Sequence, residues 1–241
     1  ISFEKLHSKA KVLANLLISK KDINNEPVAV FLPKTIESII SDIAITYSCN
    51  IYMNLDIKTP KERIKNIVEL VNPKFIITNS LYFNFVSDIV DNEIIINIDT
   101  INFDFSVDNE CLIGRLEKSI DTDPLCIINT SGSTGTPKAV VLNHRSYIDY
   151  TQWAINRFNF DGSEILGVLS PIIFDHFNFE ICLMMTKGSA LVLLDNNMAT
   201  YPAKLLNSLI DHKVNFIFWV PTIMVNIANM NLLEHIHLPL I

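Results

Sequence analysis

Leu125-Cys126-Ile127-Ile128-Asn129-Thr130-Ser131-Gly132-Ser133-Thr134-Gly135-Thr136-Pro137-Lys138-Ala139-Val140-Val141-Leu142 is the stretch on which the fold turns. Its middle packs five hydroxyl side chains and two glycines into seven residues, 130–136. Its two ends are short, apolar and rich in β-branched residues, which predicts a strand on each side. A Gly/Ser/Thr loop between buried strands can aim many backbone N–H groups and hydroxyls at one anion, and glycine permits the close approach this needs. Lys138 adds a mobile point charge. The combination suits the polyphosphate of a nucleotide. A Ser/Thr/Gly cluster alone would equally suit a flexible surface linker, but a linker does not usually sit between two core strands. The triphosphate P-loop pattern fails, because its second glycine, counted from Gly132, falls on Pro137. No Gly-x-Gly-x-x-Gly fingerprint is present either.

Outward from this loop, strand and helix patterns alternate. Upstream, Phe3, Leu6, Ala10, Leu13, Leu16 and Leu17 have helical spacing. A strand over Val28–Leu32 leads through Pro33 and Thr35 into a helix ending near Tyr47. A strand near Ile51–Met53 precedes Pro60, which suits the first turn of a helix to about Val71. The pattern then predicts a strand at Lys74–Thr78, a helix at Leu81–Val90 and a strand at Glu93–Ile98. Residues 99–123 are polar and acidic and predict a long surface loop. Downstream come a helix near Arg145–Phe158, a strand at Ile165–Leu169, a helix near Phe177–Thr186 and a strand at Ala190–Leu194. A helix near Pro202–His212, a strand at Val214–Trp219 and a helix opened by Pro221 complete the series. Such alternation predicts an α/β fold with parallel sheets flanked by helices on both faces.

Of 241 residues, 49% are hydrophobic, enough for one large or two small domains. Lys+Arg 19 against Asp+Glu 26 gives a charge of −7, and no basic stripe is present, which argues against a nucleic-acid partner. No apolar run approaches the ~18 residues of a membrane span. Cys49, Cys111, Cys126 and Cys182 are widely separated, as expected of reduced thiols in a cytoplasmic protein. The chain begins at Ile1, so the absence of a signal peptide says little.

Residues Thr130–Lys138 resemble the phosphate-binding signature of the adenylate-forming enzymes: acyl- and aryl-CoA synthetases, luciferases, D-alanine ligases and peptide-synthetase adenylation domains. Other segments match in order. Ile1-Ser2-Phe3-Glu4-Lys5-Leu6 resembles the family's "Thr-Tyr-x-Glu-Leu". Asn54-Leu55-Asp56 with Thr59-Pro60-Lys61-Glu62-Arg63-Ile64 resembles "Pro-Leu-Asp-Pro…Pro-x-Glu-Arg-Ile". Phe174-Asp175-His176-Phe177-Asn178-Phe179-Glu180 resembles the "Phe-Asp-x-Ser-x-Trp-Glu" of the amino-acid-activating branch, and Val220-Pro221-Thr222 the "x-Pro-Thr/Ser" after a core strand.

The resemblance implies the N-terminal part of the large domain of such an enzyme, an ATP-dependent ligase. It implies a sheet subdomain over about 27–158, carrying the phosphate loop, and a second subdomain over about 159–241 together with helix 1–20. A substrate carboxylate would attack the α-phosphorus of ATP, giving an acyl-adenylate and pyrophosphate. By resemblance, Thr130, Ser131, Gly132, Ser133, Thr134, Gly135, Thr136 and Lys138 hold the β- and γ-phosphates. Thr130 and Lys138 carry the catalytic role, and Mg²⁺ neutralises remaining charge. The activated acyl group then passes to coenzyme A or a carrier-protein phosphopantetheine thiol.

Asp175 matches the aspartate that binds the α-ammonium of an amino acid, and a plain helix cap is the alternative. His176, where the family has a small residue, and Phe179 line the same pocket. Phe218 falls near another lining position or is ordinary core. His176 has no neighbouring ligand for a metal. His144 suits a cap of the next helix, and Glu180 a solvated or helix-packing face.

Three departures stand out. Ala139 replaces a glycine, and Ser48-Cys49-Asn50 replaces "Lys-Ala-Gly". No "Asn-x-Tyr-Gly-x-Thr-Glu" follows Thr222. The expectation is therefore a truncated adenylation domain, inactive alone, from an amino-acid-activating parent. An acyl- or aryl-CoA ligase and a non-catalytic adenylation-like scaffold are the alternatives.

Overall fold

The computed structural model describes residues 1–105, 107–131 and 137–234. The chain divides into two compact units, 1–146 and 147–241.

The first unit opens with α1 (Phe3–Lys20), capped by the Ser2 hydroxyl. Then come β1 (Pro27–Val30), α2 (Ile36–Tyr47), β2 (Ile51–Asn54), α3 (Lys61–Val71) and β3 (Phe75–Thr78). The five-residue α4 (Phe83–Ser87), β4 (Ile95–Asn97) and α5 (Asn109–Leu116) follow. The hairpin of β5 (Pro124–Ser131) and β6 (Pro137–Asn143) leads to α6 (His144–Phe158), whose first turn belongs to this unit. The sheet order is β4-β3-β1-β2-β5-β6, parallel except for the antiparallel β5–β6 pair.

Side chains alternate across a strand, so successive residues serve opposite faces. Ala29, Phe31, Ile51, Met53, Ile76 and Ile127 meet Ile64, Ile67 and Val68 of α3 on one face. The other face carries Asn54, whose amide bonds Asp42 of α2, and α1 packs outside α2. Both faces are thus covered, as near-continuous apolar strands require. Helix α1 therefore belongs to the first unit, whereas the sequence reading grouped it with the second.

Three elements differ from expectation here. The helix at 81–90 shrinks to Phe83–Ser87, and β4 is a three-residue strand between two 3₁₀ turns. The expected loop 99–123 contains α5, begun where the Asp108 carboxylate accepts the Cys111 N–H at 3.1 Å. Only Leu112 of α5 is buried, so no apolar periodicity announced it. Arg115 ties α5 down instead. One of its terminal nitrogens donates to the carbonyls of Ile23 (2.6 Å) and Ser48 (3.1 Å), and the other pairs with Asp22.

That contact also explains the Ser48-Cys49-Asn50 departure. Cys49 takes the left-handed region at φ 56°, and buried Asn50 donates to Ile23 O and to Ser48 O and Oγ. Arg115 closes the same polar cluster from outside. Arg115→Ala is expected to lower stability by about 1–3 kcal/mol, because two carbonyls lose a charged donor. Urea unfolding of wild type and variant measures this, and coincident midpoints would refute it.

The second unit contains β7 (Ile165–Val168), α7 (Asp175–Lys187), β8 (Ala190–Leu193), α8 (Pro202–Asp211) and α9 (Pro221–Asn229). β7 and β8 pair in parallel, over a core of Leu169, Leu194, Leu205, Leu206, Leu209, Val214 and Ile227. The strand expected at 214–219 is reduced to one bridge, Phe216 to Leu166. Side chains take over its ladder. Asn215 Oδ1 accepts the Ile165 N–H at 2.8 Å, and Trp219 Nε1 donates to Gly167 O at 3.0 Å.

Candidate functional site

In the first unit the loop's flanks form the β5–β6 hairpin. Thr130 lies directly opposite Lys138, and Ser131 opposite Pro137. Gly132, Ser133, Thr134, Gly135 and Thr136 lie outside the described residues. Both Thr130 and Lys138 are exposed, Thr130 at the end of β5, whose other end is buried through Leu125, Cys126 and Ile127, and Lys138 near the start of the edge strand β6. A hydroxyl and an ammonium therefore leave adjacent strand ends beside the loop they flank. The second flank is not buried: Val140 is 43% and Val141 56% exposed, because β6 is the last strand of the sheet.

Beyond the hairpin, Asn143 rather than His144 caps α6. Its Oδ1 accepts from the Ser146 N–H (2.9 Å) and hydroxyl (2.7 Å). Burial lowers the His144 pKa, against the charges of Asp123 and Asp121. Arg145 forks onto Asp121 with two 2.8 Å bonds.

In the second unit Asp175 is the first residue of α7, after Phe174 as the cap residue. Its Oδ1 accepts the His176 N–H at 3.0 Å and faces His176 Nδ1 at 3.1 Å. The Asp175 side chain is 68% exposed. The His176 ring stacks on Phe218, with centroids 4.5 Å apart. Phe218 meets Phe179 edge-on at 5.6 Å, and Tyr150 of α6 leans on Phe179 at 4.9 Å. Phe179 is buried and Tyr150 is partly exposed. Burial raises the Tyr150 pKa, and the Asp175 charge adds to the rise.

Asp175, His176, Phe179 and Phe218 thus form one cluster: a solvated carboxylate on a wall of aromatic rings. Tyr150 joins it without having been singled out from the sequence. Its spacing from Asp175 carries no local signal; only a stack with Trp153 three residues on marks that helix face. Glu180 is 1% exposed, on the packing side of α7 rather than a solvated one. Among the described residues no group of three or more His, Cys, Asp or Glu could hold a metal ion. None of the described helices is long and apolar enough to cross a membrane. All four cysteines are free.

The AMP-binding enzyme model matches residues 1–238. The chain is 24% identical over 228 residues to tyrocidine synthase 1 of Brevibacillus parabrevis, covering 95% of this chain and 21% of that one. It is 26% identical over 236 residues to the D-alanine–D-alanyl carrier protein ligase of Bacillus cytotoxicus, covering 97% and 45%. O-succinylbenzoate coenzyme A synthetase of Bacillus subtilis, solved with AMP, has the same fold with a TM-score of 0.79 at 17% identity, over 95% of this chain and 46% of that one. The chain therefore spans less than half the length of each of these relatives. With its hydroxyl-rich loop between paired strands, its largely parallel sheet and a match over 238 residues, this chain belongs to the AMP-binding family of adenylate-forming enzymes.

Proposed function

We propose that this chain serves the ATP-dependent activation of an amino acid to an aminoacyl-adenylate. A carboxylate oxygen of the amino acid attacks the α-phosphorus, the bond to the β-phosphate oxygen breaks, and pyrophosphate leaves with that electron pair. Charge grows on the departing oxygens, so catalysis is a matter of positioning and electrostatics. Lys138 and the Thr130 hydroxyl, on facing strand ends, serve the departing phosphates together with the loop 131–136. Mg²⁺ would serve as a counter-ion of the polyphosphate. Among the described residues no cluster of acidic side chains could hold it. The adenylate is then consumed by a carrier-protein or coenzyme A thiol.

The observation that carries this reading is the Asp175 carboxylate at the start of α7, beside the His176 ring that stacks on Phe218. A substrate ammonium entering an apolar site needs a carboxylate to recover its lost hydration. A simple acyl or aryl acid has no use for one. The resemblance of curated relatives to the peptide-synthetase and D-alanine-ligase branch supports the same choice. In the full-length protein, Asp175→Ala is expected to reduce amino-acid-dependent ATP–pyrophosphate exchange about ten- to a hundredfold, the worth of a charge-assisted hydrogen bond. Unchanged exchange would remove the ammonium role. Exchange driven instead by acids without an amino group would favour an acyl- or aryl-CoA ligase.

A further inference from the structure

We propose that His176 is a positioning residue, which holds Asp175 Oδ1 so that Oδ2 is presented to the substrate ammonium. The inference rests on the ammonium-binding reading of Asp175. A carboxylate with a 68% exposed side chain is solvated and free to turn, and an ion pair made by such a group is weak. Asp175 is not left in that condition. Oδ1 receives the backbone N–H and faces the imidazole Nδ1 of the next residue, at 3.0 and 3.1 Å. Two bonds to one oxygen restrict both side-chain torsions. Oδ2 has no hydrogen-bond partner among the described residues.

The imidazole is itself anchored. Its ring stacks on Phe218 at an interplanar angle of 28°, and Phe218 abuts the buried Phe179. The line of contact runs from the unit's interior through three rings to one carboxylate oxygen. A residue fixed by packing and hydrogen bonds loses less freedom when the ligand binds, which improves affinity without any new contact. The arrangement assigns Nδ1–H as the tautomer of the neutral ring, with Nδ1 donating to Oδ1.

Two measurements separate this role from ordinary packing. In the full-length protein, His176→Phe keeps a ring against Phe218 and removes the donor. It is expected to raise the KM for the amino acid about two- to tenfold, with kcat and the KM for ATP within twofold. His176→Asn, whose amide can reach the same oxygen, is expected to restore part of the loss. A wild-type KM in His176→Phe, or an equal rise in the KM for ATP, overturns the proposal. The second measurement needs no activity. Ring ¹⁵N shifts of His176 in the 241-residue chain should report a protonated Nδ1 that reverts to the ordinary tautomer mixture in Asp175→Ala. An Nε2–H tautomer in the wild type overturns the proposal. If Asp175→Ala leaves exchange intact while the ¹⁵N signature holds, the contact stands but the ammonium reading fails. If Asp175→Ala abolishes exchange while His176→Phe does nothing, only the positioning role fails.

Discussion

Alanine in place of Gly162 is expected to cost roughly 3 kcal/mol or more of stability, the largest loss from any single methyl group added to a described glycine. Gly162 sits in the turn between α6 and β7 with φ +101°, outside the left-handed well that other residues visit. A Cβ there would lie 2.3 Å from the backbone oxygen of Lys187, at the end of α7. Neither partner can yield by a side-chain rotation, since the obstacle is backbone. The turn is also clamped. Glu164, 3% exposed, accepts the Asp161 N–H on Oε1 and the Gly162 N–H and Ser189 hydroxyl on Oε2, each at 2.9 Å. Burial pushes the Glu164 pKa up, but these donors outweigh it and hold it below the ordinary value. Moving Gly162 therefore disturbs the carboxylate that joins the start of β7 to β8.

Two other glycines calibrate the effect. Gly188 has φ +79° but open space around its Cβ position, so its alanine variant should lose only about 1–2 kcal/mol. Gly114 lies in α5 with nothing within 4 Å and no positive φ, and Gly114→Ala should be neutral or stabilising by up to about 1 kcal/mol. Chemical unfolding of the three variants should rank them in that order. A Gly162→Ala midpoint at or above that of Gly188→Ala would refute the clash.

The distance between what was readable and what was not follows the range of the interactions. Helix α1 was legible because its apolar residues recur at helical spacing, and α2 because Pro33 and Thr35 mark its start; the structure adds that the Ser38 hydroxyl accepts the Thr35 N–H. The strands around the phosphate loop were legible because they are apolar and β-branched. Helix α5 was not, because it is held by Arg115 reaching carbonyls 92 and 67 residues away. The segment 214–219 has the composition of a strand. It fails as one because Asn215 and Trp219 side chains occupy places that a ladder needs. In the candidate site, Asp175 and His176 are sequence neighbours and their contact was within reach of a motif. Tyr150 enters only through the packing of α6 on α7, which no spacing rule encodes.

The same limit hid Asp42, which no motif singles out and which governs the second large expected effect. Asp42 of α2 is 3% exposed under the sheet, and its Oδ2 accepts from Asn54 Nδ2 at 2.9 Å. Asp42 Oδ1 and Asn54 Oδ1 are both buried without a hydrogen-bond partner. Two orphaned acceptors side by side would be costly. One proton resolves both: carried on Asp42 Oδ1 and given to Asn54 Oδ1, it closes a ring of two hydrogen bonds between acid and amide. Burial pushes the Asp42 pKa up to about 8, against the opposing pull of the Asn54 bond, so the neutral acid is the form at neutral pH. In the unfolded chain the same group ionises near pH 4. Between these limits the native state holds a proton that the unfolded state has released. Stability therefore falls as pH rises from about 4 to about 8, and Asp42 contributes no further loss above that. The slope from this one residue is about 1.4 kcal/mol per pH unit. His7 and His144, with pKa values lowered chiefly by burial, act in the opposite direction below their ordinary value of 6.5. Above pH 6.5 the Asp42 contribution is therefore cleanest, and unfolding in urea at pH 6.5 and pH 8 should differ by about 2 kcal/mol. Asp42→Asn keeps the ring of two bonds as an amide pair and removes the titration, so its unfolding free energy should be flat over that window. A wild type as flat as the variant would mean that Asp42 is ionised in the fold, and that its buried oxygen finds a partner other than Asn54.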